Sequence, residues 1–520
     1  MGSVRERNVS LWIATTPETA YPPLSGEVAV DVAVIGAGIT GLSVATLLKR
    51  AGVRVAVIEA GRVASGVTGY TTAKVTSLHG LVYAGLARDL GEERAGLYAE
   101  ANQAAIERVA VLVHEDGIDC DFRRMAAYTY TEDPKRVVDI QAEAEASRRL
   151  GLPASYVETT ELPYPVRAAV RFGDQALFHP RKYCLALARS IPGDGSHLFE
   201  MTRATDVEDG APCTVTTERG TVRAEHVVLA TQLPFLDRGG FFAKTYPSRS
   251  YALGIRIDGP VPDGMYLSAE EPARSVRPHP IGDDMLLILG GEGHKVGQDQ
   301  DTRRRYAALE AWGREHFPLR GVDYRWSAQD YMPADGVPYI GRLTAGSERI
   351  HVATGFKKWG MTTGTVAGMI ISDAILGRDN PWAGLFDATR LDLTHAAKTL
   401  IAENLDVAKR FVGDRLALLT APPLDELARG EGKIVGVQGK RIAAYRDEVG
   451  VVHAVSPVCG HLGCLVTWNS AETTWDCPCH GSRYDYDGRA IQGPTVRDLE
   501  PMSLPKQERP GSSKSVPSDP

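Results

Sequence analysis

The sequence predicts an α/β domain interleaved with an antiparallel sheet and followed by a small all-β domain. Three observations predict this fold class. An apolar run at 30–35 leads through a glycine-rich turn into a helix-like stretch and a second apolar run. The segment 244–326 is rich in aromatic and β-forming residues, which is typical of an antiparallel sheet. Strand-like runs at 442–446 and 451–455 precede a stretch rich in cysteine and histidine.

Length and composition limit the number of domains and the classes of partner that we expect. The 520 residues are too many for one core and predict two or three domains. With 43% apolar and 24% charged residues, the composition is that of a soluble globular protein. The net charge of −7 argues against nucleic acid and anionic membranes as partners. We see no secretory signal, no membrane span and no disulfide framework among the seven cysteines, so we expect a cytoplasmic enzyme.

The glycine-rich turn has the pattern of a dinucleotide-binding fingerprint. Its glycines are Gly36, Gly38 and Gly41. They allow a tight turn, the close approach of a pyrophosphate, and close packing of the helix on the strand. The second apolar run, at 53–58, ends in Glu59, which is placed to accept hydrogen bonds from ribose hydroxyls. Because strand, helix and acid are all in place, we predict that this unit binds a dinucleotide.

The stretch after Glu59 indicates which dinucleotide is bound. It is rich in glycine and threonine and almost free of acids, and its candidate contacts are Arg62, Thr68, Gly69, Thr71, Thr72, Ala73 and Lys74. Such a loop offers many N–H and hydroxyl donors to a flavin and its phosphates, which a nicotinamide enzyme does not need at this point. The alternative is a flexible polar loop. We therefore expect FAD as the cofactor.

The stretch 459–484 contains a Cys-x-His pair followed by a Cys-x2-His pair. The four residues are Cys459, His461, Cys477 and His480. A Rieske [2Fe-2S] cluster needs this set, because two thiolates hold one iron and two imidazoles hold the other. The alternative is a structural Cys2His2 zinc site, which uses the same ligand types. Zinc would not explain the additional cysteines, Cys464 and Cys479.

The pattern CxHxGC with CPCHGSxY resembles the cytochrome bc-type branch of the Rieske family. The resemblance implies that Cys464 and Cys479, which occupy the same place in each loop, tie the two loops together as a disulfide. It also implies that Ser482 and Tyr484 donate hydrogen bonds to sulfur atoms of the cluster and its ligands. Such donors stabilise the reduced cluster, so we expect a potential in the upper part of the range of roughly −150 to +300 mV.

The N-terminal part resembles the FAD-dependent oxidoreductases of the D-amino-acid oxidase superfamily, and within it the subgroup that carries a C-terminal Rieske domain. The resemblance extends from residue 12 to about 505. It implies further FAD contacts at Val207, Thr231, Asp335, Gly355, Trp359, Gly360, Met361 and Thr362. A helix expected at 366–376 would point its N-terminus at the flavin and stabilise the negative charge of the reduced form.

The resemblance implies an interleaved oxidoreductase unit at 1–385. Its nucleotide-binding segments are expected at about 28–80, 170–235 and 335–385, and its substrate sheet at about 95–170 and 240–332. The segments that follow are a linker helix at 386–415, the Rieske domain at 416–505 and a disordered tail at 506–520.

Three absences narrow the chemistry. No two of the 13 histidines are five positions apart, so the His-x4-His part of a ring-hydroxylating oxygenase's iron site is missing. No second GxGxxG follows a strand, which argues against a reductase fed by NADPH. Many oxidases of the superfamily place a lysine over the flavin where we expect Ile288. The aliphatic residue predicts that oxygen is a poor electron acceptor.

The predicted function is an FAD-dependent dehydrogenase or oxidase joined to its own electron-transfer domain. A small organic substrate, by resemblance an amine or amino acid with a C–N bond, gives up a hydride, and electrons pass singly to the cluster and on to an external acceptor. The alternatives are a dehydrogenase acting on a C–O or C–C bond, a cluster-fed flavin reductase or monooxygenase, and a non-enzymatic redox relay. The substrate-facing candidates, each with a structural role as the alternative, are Arg249, Tyr251, His294, Trp326, Gln329, Tyr331 and Lys357.

Overall fold

The computed structural model describes residues 8–299, 301–391, 400–405, 407, 411 and 421–504. The helices are α1 (Leu11–Ala14), α2 (Ile39–Arg50), α3 (Tyr83–Leu90), α4 (Glu92–Glu115), α5 (Val137–Arg149), α6 (Pro180–Ser190), α7 (Phe241–Lys244), α8 (Arg303–His316), α9 (Gly360–Ile375) and α10 (Ala383–Phe386). The strands of the larger part are β1 (Gly26–Ile35), β2 (Val55–Ile58), β3 (Lys74–Val75), β4 (Arg123–Thr131), β5 (Ala154–Val157), β6 (Ala168–Leu177), β7 (His197–Phe199), β8 (Ala204–Glu208), β9 (Cys213–Thr217), β10 (Gly220–Leu229), β11 (Thr245–Ile257), β12 (Met265–Ser268), β13 (Arg274–Ile281), β14 (Asp284–Lys295), β15 (Leu319–Pro333), β16 (Tyr339–Arg342) and β17 (Ile350–Thr354). Those of the C-terminal part are β18 (Glu431–Val437), β19 (Lys440–Arg446), β20 (Val452–Val455), β21 (Thr467–Asn469), β22 (Thr474–Asp476), β23 (Arg483–Asp485) and β24 (Ala490–Gln492).

The first sheet has the strand order β16-β17-β10-β1-β2-β7, with β9 and β8 added beside β10. Strand β1 lies between β10 and β2 and is parallel to both. All of β2 and the last four residues of β1 are buried, which explains their uninterrupted apolar runs. A parallel sheet is covered on both faces, and here α2 and α9 pack together on one of them.

The second sheet has the order β15-β11-β14-β13-β12-β4-β6-β3, with β5 beside β6. Strand β11 pairs antiparallel with both β14 and β15. The strands come from two stretches of the chain, β3 to β6 and β11 to β15, which alternate with segments of the first sheet. The prediction of an α/β unit interleaved with an antiparallel sheet is thereby confirmed.

The C-terminal part contains a three-stranded sheet, β18 to β20, and a four-stranded sheet, β21 to β24, both antiparallel. This confirms the predicted all-β domain. The two motif loops follow β20 and β22, and their cysteines pack in one core with Trp475 and Tyr484. Within the predicted linker helix, residues 400–405 are helical, while 392–399, 406, 408–410 and 412–415 lie outside the described residues. The predicted tail at 506–520 also lies outside them.

Candidate functional site

The glycine-rich turn holds the end of β1 against β10 and α2. Gly36 has a φ of 108°, and a Cβ atom on it would lie 2.5 Å from the carbonyl oxygen of Ala230. A Cβ on Gly41 would lie 1.9 Å from the carbonyl oxygen of Gly36. Side chains are therefore excluded at both positions. Helix α2 begins directly after Gly38, and the N–H groups of its first turn suit a pyrophosphate.

A cavity of about 1260 Å³ opens at this turn. Its walls come from the first sheet, the loop 65–74, the second sheet and the segment 356–361. The predicted FAD contacts that line it are Gly36, Gly38, Glu59, Thr68, Thr71, Thr72, Lys74, Thr231, Trp359, Gly360 and Met361. Ordinary ligand pockets reach about 1,000 Å³, so this cavity has room for FAD and a small substrate together.

Glu59 is held at the cavity wall by the backbone. Its two carboxylate oxygens accept hydrogen bonds from the N–H groups of Ala37 and Gly61, each at 2.8 Å. Burial raises the pKa of the Glu59 carboxyl, and the two backbone bonds oppose that rise. The structure thus fixes the carboxylate beside the glycine-rich turn, and its bond to a ribose stays a prediction.

Several predicted FAD contacts serve backbone packing and do not line the cavity. They are Gly41, Gly69, Ala73 and Gly355. A Cβ on Gly69 would lie 2.3 Å from the carbonyl oxygen of Ala64, and Gly355 has a φ of 75°. These residues shape the walls of the cavity through the course of the chain.

Two charged residues predicted to contact FAD form ion pairs with other residues. Arg62 pairs with Glu200 at 2.9 Å, and Glu200 is 0% exposed. Asp335 pairs with Arg390 at 2.8 Å. A buried charge requires an opposite charge or hydrogen bonds, and these ion pairs supply them. Neither Arg62 nor Asp335 lines the cavity, and their FAD contacts stay predictions.

Val207 and Thr362 also lie off the cavity. Val207 is buried in the core of the first sheet, and its carbonyl accepts from Arg238 at 2.6 Å. Ala204, three positions earlier, does line the cavity, and the adenine contact expected at Val207 stays a prediction. The Thr362 hydroxyl donates to the carbonyl oxygen of Thr76 at 3.2 Å, which joins α9 to the segment that follows β3.

The four predicted cluster ligands lie together between the motif loops. The imidazole rings of His461 and His480 are 5.0 Å apart and nearly perpendicular, at 89°. The Cys459 and Cys477 side chains are buried and hydrogen-bonded to each other. Within the described residues, Nδ1 of His461 is buried and has no hydrogen-bond partner, so it is free to bind a metal. Two thiols and two imidazoles are the donor set of a Rieske cluster.

The second cysteine pair forms the disulfide that the resemblance implied. The sulfur atoms of Cys464 and Cys479 are 2.07 Å apart. The sulfurs of Cys464, Cys477 and Cys479 lie within 4.8 Å of one another, which taken alone suits a metal ion. Since two of the three are joined by the disulfide, only Cys477 has a free thiol. The bridge ties the two motif loops together.

The two predicted sulfur donors are in place. The Tyr484 hydroxyl accepts from the N–H of Gly460 at 3.0 Å and lies 3.2 Å from the Cys459 sulfur, to which its own hydrogen can be donated. Ser482 is also hydrogen-bonded to Cys459. Hydrogen bonds, first from Cys477 and then from Tyr484, lower the pKa of Cys459 despite its burial. A lowered pKa favours the thiolate that binds metal.

Four of the seven substrate-facing candidates line the cavity, namely Tyr251, His294, Gln329 and Lys357. His294 Nδ1 lies 3.0 Å from the carbonyl oxygen of Lys295, and its Nε2 lies 3.1 Å from the Tyr251 hydroxyl. A carbonyl oxygen only accepts, so Nδ1 carries the hydrogen and Nε2 accepts from Tyr251. Burial lowers the pKa of His294 to about 4, which keeps the ring neutral near pH 7.

The other three candidates, Arg249, Trp326 and Tyr331, do not line the cavity, and their contact with substrate stays a prediction. Trp326 is 2% exposed and its indole N–H donates to the carbonyl oxygen of Tyr70 at 2.9 Å. Large amphipathic side chains in a sheet core need such an acceptor.

Arg249 and Tyr331 bind the cluster domain. The Arg249 guanidinium pairs with Asp476 at 2.8 Å, with side chains 1% and 4% exposed. The Tyr331 hydroxyl donates to the carbonyl oxygen of His480 at 2.8 Å. The residues expected to face the substrate thus connect the second sheet to the cluster loops.

Gln329 belongs to both sites. It lines the cavity, and its side-chain amide donates to the carbonyl oxygen of Gly481 at 2.7 Å. Gly481 follows His480 and has a φ of 75°, and a Cβ on it would lie 2.5 Å from Gln329 Nε2. The glycine of the second motif loop is therefore what permits this contact. Cluster-domain residues 489–493 also line the cavity.

The sequence did not reveal two residues at these sites. Lys358 lines the cavity and donates to the Ser250 hydroxyl at 2.8 Å. It follows Lys357, and both have positive φ, at 52° and 70°, a conformation that marks functional segments when glycine is absent. The Lys-Lys pair inside a glycine-rich turn was a usable signal. Asp237, whose carboxylate lies 2.8 Å from Nε2 of His461, gave no such signal in the sequence. The reason is that 224 positions separate the two residues.

Comparison with known proteins gives two family matches. The FAD dependent oxidoreductase (DAO) family model matches residues 31–374, and the Rieske [2Fe-2S] domain model matches residues 418–503. A protein of Bacillus subtilis (strain 168) described as a Rieske 2Fe-2S iron-sulfur protein, YhfW, is 36% identical over 96% of this chain and 98% of its own. The gamma-glutamylputrescine oxidoreductase of Escherichia coli (strain K12) is 24% identical over 72% of this chain and 90% of its own.

The crystal structure of glycine oxidase from Geobacillus kaustophilus matches 70% of this chain and 99% of its own, with a TM-score of 0.59 and 19% identity. This likeness concerns the fold. Across the part of the chain that the structure describes, no helix is both long and apolar enough to cross a bilayer. The residues present fit FAD in the cavity and a [2Fe-2S] cluster between the motif loops, and both cofactors follow from the family matches. The chain therefore belongs to the DAO family of FAD-dependent oxidoreductases and carries a C-terminal Rieske [2Fe-2S] domain.

Proposed function

We propose that this oxidoreductase takes a hydride from the C–N bond of a small amine or amino acid and sends the electrons singly through its own Rieske cluster to an external acceptor. When bound, FAD supplies a hydride acceptor and the cluster a one-electron carrier. The observation that carries the proposal is the position of Gln329, which is part of the cavity wall and hydrogen-bonded to the loop that contains His480. No solvent layer separates the two sites at this contact.

The neutral Tyr251–His294 pair supports the choice of a C–N bond. A protonated amine has no lone pair to stabilise the positive charge left by a departing hydride, so its proton must leave first. In the proposed step the Tyr251 oxygen takes that proton while its own hydrogen passes to Nε2 of His294, and this transfer is uphill because burial lowers the pKa of His294 to about 4. The relative from Escherichia coli is named for an amine, gamma-glutamylputrescine, which also favours this class.

The proposal that oxygen is a poor acceptor depends on Ile288 and on two lysines. Ile288 is 0% exposed on β14 and does not line the cavity. Lys74 and Lys358 do line it, and the Lys74 ammonium is hydrogen-bonded to the Ser275 hydroxyl. Burial lowers the pKa of Lys74 to about 7. We propose slow reoxidation by oxygen because Ile288 stands where those oxidases carry a lysine; the two lysines in the cavity wall argue in the opposite direction, and Lys74→Met, compared with wild type, decides whether Lys74 promotes the reaction with oxygen.

The test is an anaerobic panel of amines, amino acids and 2-hydroxy acids, read by the visible spectra of both cofactors. We expect an amine or amino acid to bleach the flavin band and then the cluster bands in the same sample. Bleaching by 2-hydroxy acids alone would support a C–O dehydrogenase. A flavin that bleaches while the cluster stays oxidised would contradict the proposed electron route, and a redox titration that placed the cluster well below the flavin would support the reverse direction.

Tyr251→Phe tests the proton step. The variant keeps the ring, which packs on Tyr306 with centroids 4.8 Å apart, and removes the hydroxyl that faces His294. General-base assistance is worth about 10²–10⁴-fold, so we expect flavin reduction by an amine to slow by at least about 100-fold at pH 7. Tyr128→Phe, a stacked tyrosine elsewhere in the same sheet, is the matched control. Equal rates in the two variants would remove Tyr251 from the mechanism.

A further inference from the structure

The distal ends of the two predicted histidine ligands are covered by a segment of the oxidoreductase part, Asp237 to Phe242. The Asp237 carboxylate lies 2.8 Å from Nε2 of His461. The Phe242 ring meets His461 and His480 edge-on, with centroid distances of 6.1 and 5.4 Å. The His461 side chain is 5% exposed, whereas that of Asp237 is 50% exposed. A carboxylate near the surface of one domain thus reaches a buried imidazole of the other.

The two ring nitrogens of His461 have different surroundings. Within the described residues, Nδ1 is buried and has no hydrogen-bond partner. Nε2 faces the Asp237 carboxylate, which only accepts, so Nε2 carries the hydrogen. This leaves the Nδ1 lone pair for iron. A metal-bound histidine commonly donates its other N–H to a carboxylate, which fixes the tautomer and makes the ring a stronger ligand.

The second histidine has a different environment. Among the residues that the structure describes, no carboxylate is hydrogen-bonded to the His480 ring, and Phe242 packs against it. The two imidazoles that would hold the same iron therefore differ. Both contact the Phe242 ring, but only the His461 ring is also hydrogen-bonded to a negative charge.

We infer that Asp237 is a positioning residue that sets the reduction potential of the cluster from the oxidoreductase part of the chain. The inference assumes that His461 is a cluster ligand, and it does not depend on which substrate is oxidised. A negative charge bonded to a ligand stabilises the oxidised cluster, which is the more positive state. Asp237 therefore lowers the potential and opposes the hydrogen bond that Tyr484 directs at the Cys459 sulfur.

By this inference, the reduction potential of the cluster depends on the contact between the cluster domain and the oxidoreductase unit. Asp237 follows β10 and precedes α7, so it belongs to the oxidoreductase unit and reaches His461 only because the cluster domain is docked there. The docking is maintained by the buried Arg249–Asp476 pair and by Gln329 and Tyr331. The cluster domain would have a different potential without its neighbour.

The test compares full-length Asp237→Asn with wild type by a redox titration followed by EPR of the reduced cluster. Asn keeps the size of the side chain and removes the charge. We expect the reduction potential of the cluster to rise by about 59 mV, which corresponds to a tenfold change in the one-electron equilibrium constant. Asp209→Asn removes the same charge from an exposed turn of the first sheet and should leave the potential unchanged. A rise no larger than that of Asp209→Asn would overturn the inference.

A third variant covers the case in which Asp237→Asn assembles no cluster. Asp237→Glu keeps the carboxylate, and iron and sulfide content are measured on every sample. A full cluster with a near-wild-type potential in the Glu variant, together with loss of the cluster in the Asn variant, would support the charge-based role. Loss of the cluster in both variants would show that Asp237 serves only packing and would contradict the inference.

Discussion

The cluster loops take their four predicted ligands from one short stretch, Cys459 to His480, whereas the cavity takes its lining from segments scattered between Asn8 and Val496. The loops are held by a disulfide and by hydrogen bonds to a ligand sulfur. The cavity is held by sheet register, glycine packing and buried ion pairs. Removing any one ligand should abolish the cluster site, whereas removing one lining residue should alter the cavity only partly. The two meet at β15.

Cys477→Ser should have the largest effect and separate the two sites. Removing one thiolate leaves an incomplete donor set, so we expect loss of the cluster with FAD retained. Substrate should still bleach the flavin anaerobically, and turnover with a one-electron acceptor should fall to background. Cys213→Ser, a buried cysteine of the first sheet, is the control and should keep its iron. Retention of the cluster spectrum in Cys477→Ser would disprove the ligand assignment.

Arg249→Met tests the boundary between the two sites. It leaves Asp476 buried without one of its two arginine partners, since Arg483 remains at 3.2 Å. Breaking a buried ion pair typically costs about 3–5 kcal/mol, so we expect the free energy of unfolding to fall by about 3 kcal/mol. Arg223→Met, which breaks an exposed pair with Glu27, should cost less than about 1 kcal/mol. Similar losses in the two variants would mean that the interface pair is not specially stabilising.

The pH dependence of the free energy of unfolding should be set in part by two buried histidines of the oxidoreductase part. Burial lowers the pKa of His279 to about 2 and that of His179 to about 3. The unfolded state therefore binds more protons below pH 6.5, and stability falls as the pH drops through that value. Each histidine should cost roughly 2 kcal/mol between pH 6.5 and 5, measured by denaturant unfolding. His279→Asn should flatten the curve, and a curve identical to that of wild type would contradict the role of this histidine.

Tyr484→Phe should have the smallest effect and act on the cluster alone. It removes the hydroxyl beside the Cys459 sulfur, a donor that stabilises the reduced cluster. The potential should fall by less than a tenfold change in the one-electron equilibrium, or under about 59 mV, with the flavin spectrum unchanged. Tyr486→Phe, at a tyrosine that is 37% exposed, is the control. An unchanged potential in Tyr484→Phe would show that this hydroxyl does not act on the cluster.

The same contrast explains what could be predicted from the sequence. The ligand spacing, the dinucleotide fingerprint and both sheets were predictable because they depend on local patterns, such as the glycines around Gly38 and the paired motifs around Cys459. The ion pairs of Arg62 and Asp335 could not be predicted, because each residue takes its partner from a distant segment, Glu200 or Arg390. Arg249 and Tyr331 were placed at the substrate because nothing local shows that a second domain covers β15.

Covering the histidine end of the cluster has a consequence for the electrons that leave it. The His461 side chain is 5% exposed, His480 is 6% exposed, and the segment from Asp237 to Phe242 lies over both rings. If His461 and His480 hold the iron, a carrier that approaches from this side receives each electron through that layer. The thickness of this segment, and not only the affinity of the carrier for the protein, then limits the rate of electron transfer from the cluster to the carrier.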